Sequence, residues 1–533
     1  MADGGRPRGG ATGIGIAGGL GQNGSVNPRA DASLVTALVS DLRLARFRSE
    51  ALRAAWGVDA DDAIGRSLRR PALRGLGDRT DAQAVLARLL IFGAAQPAAD
   101  VDAALPALGS SGLVSLGLAE ADGDDIRPAA VLRPQSFHDD RGPGEWWVAS
   151  DLDEIALGGG ALATEHVLGV GGASLTLAGL QLPTPAKRVL DLGTGCGIQA
   201  LRARRYADEV VATDLSARAL EYAALNLLID GVDGVELRAG SLFEPVAGET
   251  FDRIVSNPPF VITPRTQGVP EYEYRDGGLV GDALVEQVVS GVGAHLEPGG
   301  IAQMLGNWET RDGVAGLDRV RAWIDASPVP LDAWIVEREE LDPIRYAETW
   351  IRDGGTVPGS AEFDRLLTAW LDDFADRGVT AVGFGYVLLR RAESAQTLAR
   401  YERLGQPIPS EGALGTHLAA VLAEHDRAAA LEDDALAAAH LRVAADVTEA
   451  RHHTPGVEAP SVIELRQGGG FGRSIQADPA LAGVVGACDG DLPLGVLIDA
   501  VAQLLEVDAA ELRAALVPAV RELILDGFLT FAD

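Results

Sequence analysis

An apolar strand that runs straight into glycines at alternate positions, and then into a helix, leaves few folds open to a chain. Val189-Leu190-Asp191-Leu192-Gly193-Thr194-Gly195-Cys196-Gly197 is such a run, and Ile198-Gln199-Ala200-Leu201-Arg202-Ala203 continues it with helical patterning. Glycines there admit positive φ and let a ligand approach the backbone, where the N–H groups of the coming helix point outward. The pattern predicts a nucleotide-binding loop at the end of a sheet strand. A dinucleotide fingerprint needs a third glycine where Ile198 stands, so NAD is disfavoured. Downstream, Glu209-Val210-Val211-Ala212-Thr213-Asp214 reads as a second strand ending in a carboxylate. A spacing of about twenty residues from Asp191 suits acceptance from ribose hydroxyls. Asp214 is equally placed to cap the helix that begins near Ser216.

A second segment narrows the chemistry. Ile254-Val255-Ser256-Asn257-Pro258-Pro259-Phe260 places an Asn-Pro-Pro-aromatic tetrapeptide at the end of an apolar run. Two consecutive prolines end a ladder and fix two φ angles near about −65°, which holds the Asn257 side chain and the Pro258 carbonyl beside an aromatic ring. An NH2 group on an sp² carbon has two donor hydrogens and a π-face. Asn257 Oδ1 and the Pro258 carbonyl suit the hydrogens, and Phe260 suits the face. The plain alternative for Pro258 and Pro259 is a turn that ends a strand.

On these residues the chain resembles the class I S-adenosylmethionine-dependent methyltransferases, within them the Asn-Pro-Pro-aromatic amino-methyltransferases, over roughly residues 155 to 392. The loop 191–197, the segment Gly240-Ser241-Leu242-Phe243-Glu244-Pro245 and Arg275-Asp276-Gly277-Gly278-Leu279 are most similar to the HemK-type release-factor glutamine methyltransferases. Phe rather than Tyr at 260 leans toward the ribosomal-RNA "small" methyltransferase group. The resemblance implies a Rossmann-like seven-stranded α/β domain with an antiparallel last strand and S-adenosyl-L-methionine as cofactor. It implies that Asp191, Gly193, Thr194, Gly195, Cys196 and Gly197 line the methionine and ribose part, that Asp214 takes the ribose hydroxyls with Leu215 next to it in the cofactor site, and that Ser241 and Leu242 flank the adenine. Many relatives carry Asp at the position of Ser241, so the contact to the adenine amine is expected to be weaker or to come from the backbone. Asn257, Pro258, Pro259 and Phe260 would form the acceptor site for direct in-line methyl transfer, with neither a metal nor a covalent enzyme intermediate. The lead acceptor is a protein glutamine amide, as on a translation factor. The alternatives are an exocyclic amine of an RNA or DNA base, and a scaffold that binds cofactor without transfer.

Composition bears on compartment and partner. Cys196 and Cys488 are the two cysteines, which excludes a disulfide scaffold and points to a reducing, cytoplasmic setting. Cys196 reads as a small apolar loop residue rather than a nucleophile. A formal net charge of −32 repels polyphosphate over most of the surface and disfavours a broad nucleic-acid footprint. His452-His453 have no cysteine nearby and no metal-ligand spacing. No secretory signal or membrane span is expected, since the most membrane-like stretch, 161–182, carries Glu165 and His166 and several glycines. Within it, Val167 to Gly171 is a candidate second wall for the cofactor.

At 533 residues the chain exceeds one ordinary core. We divide it into a disordered Gly-rich tail (1–30), an N-terminal accessory domain (31–150), the methyltransferase domain (151–395) and a C-terminal domain (396–533). The accessory domain reads as helices followed by strands at Leu113–Leu118, 126–132 and 146–150, which suggests a winged-helix-like module. The C-terminal domain opens with an amphipathic helical stretch, Thr416–Thr448, and closes as helix, turn, helix and short strand, again winged-helix-like. Arg466 and Arg473 are its positive charges to test for RNA recognition. The loop between Pro264 and Gly278, with Tyr272, Tyr274 and Arg275, is a candidate lid or an ordinary surface loop.

Overall fold

The computed structural model describes residues 27–158, 165–266, 268–269, 277–409 and 414–532. Its centre is an eight-stranded sheet. We number its strands β1 (Ala186–Leu192), β2 (Ala207–Asp214), β3 (Val235–Ala239), β4 (Phe251–Ser256), β5 (Leu296–Arg311), β6 (Leu331–Leu341), β7 (Val379–Arg391) and β8 (Ala399–Arg403). Their spatial order is β8-β6-β7-β5-β4-β1-β2-β3. β7 runs antiparallel to both its neighbours, as expected, and all other pairings are parallel. β8 adds an eighth strand to the seven foreseen and carries the sheet past residue 395.

Both faces of the sheet are covered, which is why its strands read as unbroken apolar runs. Successive residues go to opposite sides: Val189, Val210, Ala212 and Val255 enter one cluster, while Leu190, Leu192, Val211 and Ile254 enter another. Each buried Val, Leu or Ile contributes on the order of 1.5–3 kcal/mol relative to exposure. The helices that frame the site are α1 (Gly172–Leu180), α2 (Ile198–Ala203), α3 (Ala217–Ile229), α4 (Pro343–Asp353) and α5 (Ala361–Asp376), the last two forming an excursion between β6 and β7.

Before the sheet, a helical module ends in a three-stranded wing formed by 96–97, 125–128 and 119–122 in spatial order. The expected strand at Leu113–Leu118 is instead mostly helix, Gly109–Ser115. Leu113 and Leu116 are both fully buried, and three-residue spacing on one helix face produces the same apolar run as a strand would. A long hairpin, Ala130–Asp139 with Gly142–Asp151, then crosses α3, where Asn226 Oδ1 accepts from the Ala149 amide at 2.7 Å. One apolar cluster runs from Val35 through this hairpin to Tyr222, Leu225 and Ile229 of α3. The tail assigned to 1–30 lies outside the described residues up to 26, but Asn27 is held, its Oδ1 accepting from Arg218 Nη1 at 2.9 Å.

In the C-terminal part, strand 489–493, two helices (Leu494–Leu505 and Ala509–Leu525) and strand 529–531 form a winged-helix-like unit. Its middle strand is His440–Val443, antiparallel to both partners. The helical reading of Thr416–Thr448 therefore holds through Ala429 and again at Asp433–Ala437, after which strand pairing overrides it. Phe471, in the turn at 468–473, is buried against Trp334 of β6, with ring centroids 5.7 Å apart.

Candidate functional site

The strand order reverses between β1 and β4, because β2 and β3 lie to one side of β1 and β4 and β5 to the other. A crevice at the carboxyl ends of such strands is where open α/β sheets place ligands. Leu192 pairs with Ser256 across this point, and Ser256 Oγ donates to the Leu192 carbonyl at 2.8 Å. The chain leaves both strands side by side, into Gly193 on one and Asn257 on the other.

The glycine loop divides its residues between two faces. Gly193 (φ +75°) and Gly195 (φ +54°) hold left-handed backbone, and a Cβ built on either would meet nothing within 4 Å. They form an open cradle over which a ligand can lie against main chain. Gly197 (φ +87°) serves packing instead, since a Cβ there would stand 3.3 Å from Cα and Cβ of Ala223 on α3. Thr194, Cys196 and Asp191 point inward and are buried. Thr194 Oγ1 donates to Asp191 Oδ2 at 2.6 Å, beneath the loop rather than on its open face. Burial pushes the Asp191 carboxyl up to about 7 against that hydrogen bond, with the nearby Asp214 charge adding to the rise. Burial also pushes the Cys196 thiol up to about 12, which removes it as a nucleophile at neutral pH. Asn226 Nδ2 anchors the loop from α3 by donating to the Cys196 carbonyl at 2.8 Å.

Asp214 closes β2 beside the cradle. Its Oδ2 accepts from Gly195 N and its Oδ1 from Ser216 N, each at 2.9 Å. The helix cap offered for Asp214 falls instead to Ser216, whose Oγ accepts from the Ala219 amide at 3.3 Å; Asp214 braces the loop and the residue before the helix, and it retains lone pairs for further donors. Burial raises its pKa despite these amides. Leu215 is 66% exposed, an apolar side chain left open beside the carboxylate. The Gly240 amide donates to the Asp214 carbonyl at 3.0 Å, which brings Ser241 and Leu242 to the same edge. Leu242 has φ +47°, an uncommon setting for a branched residue and a mark of local strain. Phe243 beside it stacks on His295 at 4.5 Å.

On the other side of the crevice, Asn257 Oδ1 is shielded from water and accepts no hydrogen bond. A buried acceptor left unpaired costs about 1–3 kcal/mol, which an incoming N–H would relieve. Pro258 is buried and Pro259 half-buried. Phe260 packs against Phe384 of β7 at 5.4 Å and presents an edge contact to Trp350 of α4 at 6.4 Å. An open main-chain cradle, an adjacent carboxylate with the exposed Leu215 beside it, and an unpaired amide oxygen three residues before an aromatic cluster thus converge on one crevice. Such a donor and acceptor set fits a nucleoside-like cofactor and a planar nitrogen.

Tyr272, Tyr274 and Arg275 lie outside the described residues, as does most of the candidate lid. Val167 is tied to Asp151, whose Oδ2 accepts from its amide at 2.8 Å and from Arg218 Nε at 3.0 Å. Arg473 is not an exposed charge. It forms a bidentate pair with Glu402 of β8 (2.6 and 2.8 Å) and reaches Asp526 at 3.1 Å, whereas Arg466 pairs with its neighbour Glu464 on the surface. Among the described residues no cluster of His, Cys, Asp and Glu could hold a metal, and no helix is long and apolar enough to cross a membrane. Sequence reasoning missed Asn226, Asn307, Tyr346, Trp350 and Phe384. None belongs to a local motif, and Asn226 could have been sought only as a polar residue inside the apolar face of a helix.

The segment that carries this site is similar to known proteins. Residues 171–271 match the family model described as a methyltransferase small domain, and the flanks 44–129 and 421–531 each match a domain of unknown function. The release factor glutamine methyltransferase of Xylella fastidiosa is 40% identical over 132 residues, covering 23% of this chain and 48% of that protein. The ribosomal protein uL3 glutamine methyltransferase of Bradyrhizobium diazoefficiens is 32% identical over 171 residues, covering 30% of this chain and 53% of that protein. The chain spans about half the length of the curated relatives it matches. Among solved structures, the YcgJ protein of Bacillus subtilis aligns at 17% identity over 42% of this chain and 98% of its own, with a TM-score of 0.28, too low to argue from. The small-domain match spans the segment that carries the glycine loop and the Asn-Pro-Pro-Phe corner.

Proposed function

We propose that this chain transfers a methyl group from S-adenosyl-L-methionine to the amide nitrogen of a glutamine side chain in a protein of the translation apparatus, acting in the cytoplasm. The observation that carries the reading is the buried, unpaired Asn257 Oδ1, which stands one strand away from the open Gly193–Gly195 cradle. The names of the relatives favour glutamine over a nucleobase. The acidic surface favours a protein over RNA in the same sense.

In this reading the main chain of Gly193 and Gly195 lies against the cofactor's methionine and ribose, Asp214 accepts from the ribose hydroxyls with Leu215 beside it, and Ser241 and Leu242 flank the adenine. The cofactor supplies an electrophilic methyl on a sulfonium. Asn257 Oδ1 and the Pro258 carbonyl accept the two hydrogens of the substrate NH2, and Phe260 lies against its flat face. Those bonds leave more electron density on the nitrogen as it attacks. Bound there, the sulfonium would give up its methyl and keep the C–S pair, and the nitrogen held by Asn257 and Pro258 would release one amide proton to water. Positioning carries most of the rate: well-oriented intramolecular reactions gain roughly 7–11 kcal/mol from it.

The test incubates the full chain and its Asn257→Ala variant with methyl-labelled cofactor and lysate of a strain lacking the enzyme, then counts label in separated protein and RNA. Label in protein that the variant fails to add, with cofactor binding retained, supports glutamine methylation. Label in RNA moves the acceptor to a base amine, and cofactor binding without label in either fraction overturns the reading.

A further inference from the structure

The main chain that carries the acceptor motif is almost without hydrogen bonds of its own. Asn257 follows the last paired residue of β4, and Pro258 and Pro259 have no N–H to donate. Beyond the end of the β4 ladder, the backbone of 258–263 makes a single hydrogen bond among the described residues, from the Ile262 amide to Tyr346 Oη at 3.0 Å. Ile262 is 1% exposed, so water does not replace that partner.

Tyr346 lies on α4, in the excursion between β6 and β7. Those two strands pair antiparallel, and antiparallel neighbours need only a tight turn to join them. The sheet therefore has no use for α4 and α5, yet they bury Tyr346, Ile351, Phe363, Trp370 and Phe374 in one cluster with Val261 and Ile262. The Tyr346 hydroxyl also accepts from Asn307 Nδ2 of β5 at 2.6 Å. Asn307 stands opposite Phe384 in β7, whose ring touches Phe260. One helical turn beyond Tyr346, Trp350 sets an edge against Phe260. α4 thus holds the motif twice, through a hydroxyl bonded to the main chain two residues after it and an indole against its aromatic ring.

We infer that α4 is the acceptor-side buttress of the site and that Tyr346 is a positioning residue, its hydroxyl setting where Asn257-Pro258-Pro259-Phe260 stands relative to the glycine cradle. For its effect on turnover the inference rests on the methyl transfer proposed above; for its effect on the loop it does not. Tyr346 itself touches no reacting atom and acts through the Ile262 amide.

The test is Tyr346→Phe in the full chain, read by amide hydrogen exchange at Ile262, by cofactor affinity and by single-turnover transfer. The expected result is faster exchange at Ile262, cofactor Kd within about twofold of wild type, and a rate constant for transfer lower by on the order of tenfold to a hundredfold, the scale set by an ångström of misplacement. Trp370→Phe is the control for a merely structural role: Trp370 packs on Tyr346 at 6.0 Å without bonding the loop, so it should lower Tm while sparing both Ile262 exchange and the transfer rate. Should Tyr346→Phe not fold, Asn307→Leu removes the other bond to the hydroxyl and should shift exchange and rate in the same direction by less. Unchanged exchange at Ile262 overturns the inference, and so does a full transfer rate alongside faster exchange. If the wild type methylates no acceptor, the function proposal fails alone, and the exchange measurement still decides whether Tyr346 places the loop.

Discussion

Asp214 Oδ2 accepts the Gly195 amide at 2.9 Å, so the carboxylate that ends β2 fixes the loop that leaves β1. Its Oδ1 holds the start of α3 through Ser216. One side chain therefore orders both structures around the cradle.

Asp214→Ala is expected to lose about 1–3 kcal/mol of stability, since two backbone donors lose a partner. Cofactor affinity should fall at least tenfold, because the loop loses its brace and the ribose its acceptor. Isothermal titration with S-adenosylmethionine, alongside a denaturant curve, separates the two losses. Unchanged affinity would mean that the carboxylate serves structure alone.

The glycines should divide by face. Gly195→Ala meets open space at its Cβ, so its stability cost is the left-handed backbone alone, about 1–2 kcal/mol, while cofactor binding suffers directly. Gly197→Ala carries the same kind of backbone cost plus a crowded contact with Ala223, and should lower Tm further. Measuring Tm and cofactor Kd for both variants checks the division: a Gly195 variant with intact affinity would place the cofactor elsewhere.

The raised pKa of Asp191 makes a signed prediction. A carboxyl that titrates near 7 when folded and near 3.8 when unfolded binds more protons in the native state between those values. Its contribution to stability is therefore present below about pH 4 and is lost as pH rises toward 7. Asp191→Asn removes that titration while keeping an acceptor for Thr194. Relative to wild type, the variant should gain stability steadily from pH 4 to 7, by up to about 4 kcal/mol at about 1.36 kcal/mol per pKa unit. Denaturant unfolding of both proteins across that range is the measurement, and a pH-independent difference would refute the burial argument.

Arg473 and Arg466 should behave oppositely. Burial opposes ionisation of Glu402, but Arg473 and Arg400 outweigh it and hold the carboxyl below its usual range. Arg473→Met leaves that buried charge short of its bidentate partner and should destabilise the junction of the C-terminal part with β8 by about 3–5 kcal/mol, seen as a separate early transition in calorimetry. Arg466→Ala removes an exposed pair and should cost about 1 kcal/mol or less. Loss of RNA retention by Arg473→Met without that early transition would restore the reading of it as a surface contact.

Much of the site was legible because its parts are local. A glycine whose φ must be positive, a carboxylate at a strand end and a pair of prolines each constrain their own few residues, and so 191–197, 214–215, 241–242 and 257–260 were read from spacing and resemblance. Sequence and structure part where period and pairing conflict over short stretches. Leu113 and Leu116 fit a strand or a helix face equally well until packing selects one, and His440–Val443 looked helical until two distant strands bonded to it.

The sequence by itself determined that this chain builds an α/β sheet with a glycine cradle and a rigid Asn-Pro-Pro-Phe corner, because those features follow from backbone sterics within a few residues. Only the tertiary structure decided that Asp191 works from beneath the loop, that Arg473 is spent on Glu402, and that Tyr346, some eighty residues beyond the motif, holds its main chain. The physical reason is range. Sterics act between chain neighbours, whereas burial, the partner of a hydrogen bond and the pKa of a carboxyl depend on which distant residues the sheet order brings together.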